Sequence, residues 1–238
     1  MKILIIGGGG REHALAHTFH RQGHIVYCLP GNPGTDRLCA QFPEKWKTID
    51  PTDFAVLSTF AKEENVDLTI CGPELPLEGG IADIFTKEQL AFFGPGRLGS
   101  RIEYSKAWSK EFMKKYGIPT ARYVTCKHSH EAYKAIDKYY HQWGGIVIKP
   151  SGLTGGKGVK VCNSLQEAQK AVELIMEDKI YGNAGNEVVL EELLKGKEVS
   201  IMALCDGKTI LSLLPCQDHK RLYDHGQGPN TGGIGAYT

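Results

Sequence analysis

The chain has 238 residues, with 28 Lys and Arg against 27 Asp and Glu, a formal charge of +1, 41% hydrophobic residues and 23% charged ones. That balance describes a globular chain long enough for one large or two modest domains, and excludes a disordered, fibrous or membrane-embedded one. It also supplies no bulk positive charge for nucleic acid, so any phosphate site has to be local.

The first third alternates short apolar runs with longer amphipathic segments. Ile3 to Ile6 reads as a buried strand, Arg11 to Gln22 as a helix, Ile25 to Leu29 as a strand, Phe54 to Glu64 as a helix and Val66 to Cys71 as a third strand. A helix from about Glu78 to Lys87 and a short strand at Ala91 to Phe93 follow. Such alternation predicts right-handed βαβ crossovers and a mostly parallel sheet. Ligands then collect at the loops after the strands' carboxyl ends: Gly7 to Gly10, Pro30 to Gly34, Gly72 to Glu74 and Gly94 to Gly96.

Beyond about residue 102 the pattern changes. Helices are predicted over Ser105 to Tyr116, His130 to Trp143 and Leu165 to Met176. Ile146 to Lys149 and Val159 to Cys162 read as strands around a glycine-rich loop, and further strands are expected at Val188 to Glu191, Val199 to Cys205 and Thr209 to Leu213. Gly226 to Thr238 is glycine-dense and aperiodic. The N-terminal apolar run is only the four residues Ile3 to Ile6, too short for a signal peptide or a membrane span. Cys28, Cys39, Cys71, Cys126, Cys162, Cys205 and Cys216 stand singly, as expected of reduced thiols in a cytoplasm.

Gly7-Gly8-Gly9-Gly10-Arg11-Glu12-His13 follows a strand and opens a helix, where backbone amides and the helix dipole favour an anion. His13 replaces the third glycine of a dinucleotide fingerprint and no acid stands at the tip of the second strand, which argues against a nicotinamide cofactor. A bare strand-to-helix turn is the competing reading; Arg11 tips the balance toward phosphate.

Lys149-Pro150-Ser151-Gly152-Leu153-Thr154-Gly155-Gly156-Lys157-Gly158 puts a lysine at a strand end before a flexible loop, as a nucleotide polyphosphate requires. It lacks Walker A spacing, and a hairpin with a glycine tip fits the spacing equally well. Glu191-Glu192-Leu193-Leu194 ends a strand that either offers groups to an adenine and a ribose or is a solvated edge. Gln217 to Arg221 and Gly228 to Ala236 bring cations together with an adaptable polar loop. No metal-ligand spacing is present, so no metal-binding residue is assigned.

Taken in order, GGGGREHALA from Gly7, PGNPGT from Pro30, DLTICGPELPL from Asp67, SKAWSKEFM from Ser105, IPTA from Ile118, IVIKPSGLTGGKGV from Ile146, EELL from Glu191 and QDHKRLYDHGQGPNTGGIGAY from Gln217 carry a specific likeness. The chain resembles the phosphoribosylamine–glycine ligases, or glycinamide ribonucleotide synthetases, which are ATP-grasp enzymes of de novo purine synthesis. The resemblance implies an α/β chain divided into a Rossmann-like substrate domain (1–102), an ATP-grasp lid region with a linking helix (103–190) and the start of a second ATP-grasp half (191–238).

It further implies ligation of glycine to 5-phosphoribosylamine with ATP and Mg2+ (or Mn2+), through glycyl phosphate. Lys106 and Lys149 would contact ATP phosphates, and Gly152, Gly155, Gly156, Lys157 and Gly158 would form a lid. Glu191, Leu194 and Glu198 would hold adenine and ribose. Gly9, Gly10, Arg11, Glu12, Asn32, Gly34, Thr35 and Glu74 would form the phosphoribosylamine pocket. Lys220, Arg221, Asn230 and Thr231 would help hold the phosphoribosyl group or glycine, with Lys149, Lys220 and Arg221 nearest the chemistry.

The chain departs from the family pattern at Ser151, usually an aspartate, and at His225, usually a glycine. It also stops at Thr238, so the metal ligands are expected in a C-terminal part, supplied by a longer or complementing polypeptide. The small-molecule substrates leave no role for nucleic acid or membrane. The competing functions are a non-catalytic sugar-phosphate or nucleotide-binding module and another ATP-grasp carboxylate–amine ligase.

Overall fold

A computed structural model describes residues 1–46 and 49–238. The chain folds as two compact units, Met1–Tyr104 and Ser105–Thr238. In the first, β1 (Lys2–Gly7), β2 (Ile25–Pro30), β3 (Leu68–Cys71) and β4 (Phe92–Phe93) form a parallel sheet in the order β2-β1-β3-β4. The run Ile3 to Ile6 is continuously apolar because both faces of β1 are covered. Leu4 and Ile6 pack with Leu57, Phe60, Ile81 and Phe85, whereas Ile3 and Ile5 pack with Ala16, Val26 and Ile70.

The helices of this unit are set by their ends. α1 (Gly10–Arg21) starts at the glycine run, and α2 (Phe54–Glu63) starts where Asp53 accepts a hydrogen bond from Val56 N at 3.0 Å. The single helix expected over Glu78 to Lys87 is instead two, α3 (Glu74–Gly79) and α4 (Ile81–Lys87). The break is Gly80, whose φ of +90° ends one helix and caps the next. α5 (Arg97–Tyr104) has no counterpart in the sequence expectation. It follows Gly94-Pro95-Gly96, which reads as a loop, and its start is fixed by Asp83 accepting from Arg97 N at 3.0 Å.

The second unit opens with α6 (Lys106–Lys115), capped by Ser105, and contains β5 (Tyr123–Cys126), α7 (Ser129–Trp143), β6 (Ile146–Pro150), β7 (Lys160–Cys162), α8 (Leu165–Val172) and β8 (Val188–Glu192). Its sheet is antiparallel with order β5-β8-β6-β7. Period-two alternation sorts the side chains. Ile146, Ile148, Val188 and Leu190 join Ala132, Ile136, Ala168 and Val172 in the core beneath α7 and α8. Val147, Lys149, Val189 and Glu191 therefore project from the opposite face, where chemistry is available.

The remainder is three two-stranded ribbons: β9 (Ala203–Cys205) with β10 (Ile210–Ser212), β11 (Gln217–Asp218) with β14 (Ala236–Tyr237), and β12 (Arg221–Tyr223) with β13 (Gln227–Asn230). The strand expected over Val199 to Cys205 is thus shorter, with Ser200 making only an isolated bridge to Cys216, and Thr209 to Leu213 contracts to the three residues of β10. Hydrogen bonding across the turn at Asp206 and Gly207 sustains this ribbon, while Ile201, Leu204, Ile210, Leu211 and Leu214 remain exposed.

Candidate functional site

In the first unit the loops after β1, β2 and β3 are stitched together. Asn32 is the hub: its Nδ2 donates to Gly8 O at 3.0 Å, and its Oδ1 accepts from Gly34 N at 2.8 Å and Thr35 N at 3.1 Å. Thr35 Oγ1 accepts from Asn32 N at 2.7 Å. Arg11 lies 3.3 Å from Glu74 and remains largely exposed, so its charge is only loosely committed. The carboxylate of Glu12 turns inward, is buried, and accepts from Gly9 N at 2.5 Å. It occupies space that only glycine leaves open: a Cβ on Gly7, Gly9 or Gly72 would press into Glu12. A Cβ on Gly34 would likewise strike the His13 ring.

The loops therefore form a rigid, amide-rich rim at the N-terminus of α1, with Gly9, Gly10 and Arg11 outermost and Glu12 serving as the staple. Cys71, at the end of β3, has its thiol pushed up to about 12, first by burial and then by the negative charges of Glu12 and Glu74.

In the second unit a cleft of about 1320 Å³ is lined by Lys149, Glu191, Leu194, Glu198, Lys220, Arg221 and Asn230. Lys149 Nζ is 3.0 Å from Glu191 Oε1. Lys220 Nζ lies 3.4 Å from Glu198, and Arg221 Nη1 donates to Gly228 O at 2.7 Å. Thr231 Oγ1 donates to Lys220 O at 3.0 Å, tying β12 to the glycine-dense loop. The cleft mixes cations with the apolar walls Val147, Val159 and Leu193, a composition that suits a planar base carrying charged groups.

Lys106 is placed beside this cleft rather than in its lining, with Nζ donating to Gly152 O at 3.0 Å. Ser151 accepts from Ala107 N through its hydroxyl at 3.2 Å and donates its own N–H to Glu187 O at 2.8 Å, so it is a buried brace for α6. Gly155 and Gly156 have φ values of +59° and +78° and open space around them, and Lys157 O accepts from the Tyr181 hydroxyl at 3.0 Å. Among the described residues no group of three or more His, Cys, Asp or Glu could hold a metal ion, and no helix is long and apolar enough to cross a membrane.

Residues 1–103 match the phosphoribosylglycinamide synthetase N domain, and residues 104–238 match the ATP-grasp (A) domain of the same synthetase. The chain belongs to the phosphoribosylglycinamide synthetase family. The phosphoribosylamine–glycine ligase of Ralstonia nicotianae is 44% identical over all of this chain and 55% of its own length. A trifunctional purine biosynthetic protein of Gallus gallus is 42% identical, again over all of this chain but 23% of its own length. The crystal structure of the Thermotoga maritima phosphoribosylamine–glycine ligase superposes with a TM-score of 0.76 at 35% identity, over 99% of this chain and 55% of that one. This synthetase-family chain thus spans about half the length of the single-function ligases it matches.

One residue of this synthetase-family chain went unmarked in the sequence reading: Lys110, buried 3.0 Å from Glu191. The one trace of it in the sequence is spacing: Lys110 stands three residues after Ala107, which puts both on one face of α6. His13, read there only as a break in the dinucleotide fingerprint, packs on Gly34.

Proposed function

We propose that the chain serves ATP-dependent ligation of glycine to 5-phosphoribosylamine, giving glycinamide ribonucleotide, ADP and phosphate. Family membership supports the reaction class, and the cleft that gathers Lys149, Glu191, Leu194, Lys220 and Arg221 is the observation that carries the nucleotide reading. A carboxylate is a poor acyl donor, so the γ-phosphoryl group passes first to a glycine oxygen, forming glycyl phosphate and ADP. The amine of phosphoribosylamine then attacks the carbonyl, the C–N bond forms, and phosphate leaves with the former carboxylate oxygen.

The chain's own residues position and neutralise. Lys149 and Lys106 hold phosphate charge, the loop from Gly152 to Gly158 folds over it, and Glu191, Leu194 and Glu198 receive adenosine. Gly9 to Glu12, Asn32, Gly34, Thr35 and Glu74 bind the phosphoribosyl group, with the Glu12 staple keeping the loop amides aimed at phosphate. Lys220, Arg221, Asn230 and Thr231 steady glycine or the sugar phosphate. Magnesium or manganese bound to ATP would offset phosphate charge. The donor set among the described residues does not fit a protein-held ion. Turnover is expected to require a polypeptide equivalent to the remaining length of the ligases.

Calorimetric titration of residues 1–238 with ATP and, separately, ribose 5-phosphate tests the reading. Binding of both supports the ligase. Sugar-phosphate binding alone favours a non-catalytic module, and binding of neither overturns the proposal. ADP release with a different acid or amine after complementation would indicate another ATP-grasp ligase.

A further inference from the structure

Glu191 is held from two sides. Its Oε1 lies 3.0 Å from Lys149 Nζ, and its Oε2 lies 3.0 Å from Lys110 Nζ. The two lysines differ in setting. The Lys149 side chain is 26% exposed and lines the cleft, whereas that of Lys110 is 7% exposed. Lys110 also donates to Thr120 Oγ1 at 2.7 Å and sits 5.5 Å from the centroid of the Tyr123 ring, so its ammonium is partnered without water. A buried ammonium with this many fitted partners is costly to assemble and is retained in a fold only where its charge matters or its partners compensate it fully.

The charge arithmetic gives Lys110 a use. Two ammoniums and one carboxylate sum to +1; both ammoniums lie 3.0 Å from the carboxylate, but only the outer one, on Lys149, faces the cleft. Without Lys110, Lys149 and Glu191 would form a neutral pair. An incoming phosphate would then have to compete with Glu191 for Lys149 while being repelled by the same carboxylate. We propose that Lys110 is a positioning residue that satisfies Glu191 from beneath, leaving the Lys149 charge available to a nucleotide phosphate. The inference rests on the nucleotide reading of the cleft and deepens it.

The test compares ATP with adenosine, which presents the same base and ribose without phosphate. In the full 238-residue chain, Lys110→Met is expected to weaken ATP binding about tenfold and to leave adenosine binding within about twofold. Adding Glu191→Gln to Lys110→Met removes the competing carboxylate, and is expected to restore most of the lost ATP affinity relative to adenosine. A merely structural lysine would not produce that rescue. If Lys110→Met does not melt cooperatively, Lys110→Gln keeps a hydrogen-bonding end group without the charge and is expected to show the same selective loss.

Equal weakening of ATP and adenosine, unchanged ATP affinity, or failure of the double variant to recover overturns the inference while leaving the nucleotide reading intact. An unsubstituted chain that binds neither ATP nor adenosine overturns both.

Discussion

Arg122 and Glu192 are joined by three hydrogen bonds where β5 and β8 begin to pair: Glu192 N to Arg122 O at 3.0 Å, Arg122 N to Glu192 Oε1 at 2.8 Å, and Arg122 Nε to Glu192 Oε2 at 2.6 Å. The contact fixes the strand end that leads into Leu193 and Leu194. The Arg122 backbone amide, and then its guanidinium, hold the Glu192 carboxyl below its ordinary 4.5. A lowered folded-state value means the contribution is complete above the unfolded value and is lost as pH falls through the folded one. Wild-type stability should therefore fall between pH 5 and pH 3 by more than that of Glu192→Gln. Urea midpoints at the two pH values check this, and parallel acid limbs would refute it.

His225 occupies a left-handed conformation, φ +58° and ψ +26°, in the turn between β12 and β13. That geometry favours glycine, since a side chain there costs roughly 1–2 kcal/mol while glycine's extra unfolded freedom returns part of it. His225→Gly should stabilise the chain by about 0.5–1 kcal/mol in urea denaturation, and His225→Val should destabilise it.

Gly34 has an ordinary helical φ of −77°, so its need for glycine is steric rather than conformational. Gly34→Ala should cost about 1–3 kcal/mol through overlap with His13 and weaken ribose 5-phosphate binding. His13→Ala should remove the overlap, so the double variant is expected to be more stable than Gly34→Ala alone. Simple additivity in this double-mutant cycle would show that the clash is not the cause.

The β9–β10 ribbon and its flanking residues carry Ile201, Met202, Leu204, Ile210, Leu211, Leu213 and Leu214, all exposed. Such a patch favours self-association and dye binding. Residues 1–238 should bind anilinonaphthalene sulfonate and sediment as larger species with rising concentration, and Ile210→Lys with Leu214→Lys should reduce both effects without lowering the thermal midpoint.

What the sequence disclosed follows from where the local signals were strong. Ile3 to Ile6 is apolar on both faces and abuts glycines, so β1, its following loop and α1 were all legible. The strands around Lys149 and the end of β8 were equally clear, because Ile146, Ile148, Val188 and Leu190 alternate against two helices. α5 was hidden because it spans only eight residues and carries Gly99 directly after Gly94-Pro95-Gly96, although Leu98 and Ile102 stand at helical spacing. β9 and β10 lie within strands the sequence predicts, whereas the β11–β14 and β12–β13 ribbons escaped because pairing there depends on turns rather than on a buried face. Among site residues, Lys110 shows the limit most clearly: lysine on a charged helix reads as solvent-facing until Glu191, 81 positions later, is folded against it.

The crowding of Gly7, Gly9 and Gly72 around Glu12 bears on how this chain can vary. The three glycines sit at two separate strand ends and the loops that follow them, and Gly7 additionally has φ +127°. Their tolerance to change is shared through one side chain, so shortening Glu12 alters the steric penalty at all of them while leaving the Gly9 amide without its acceptor. Substitutions at these four positions form one epistatic set, and viable variation there has to arrive in combination, with the fitness of each residue defined only by the identities of the other three.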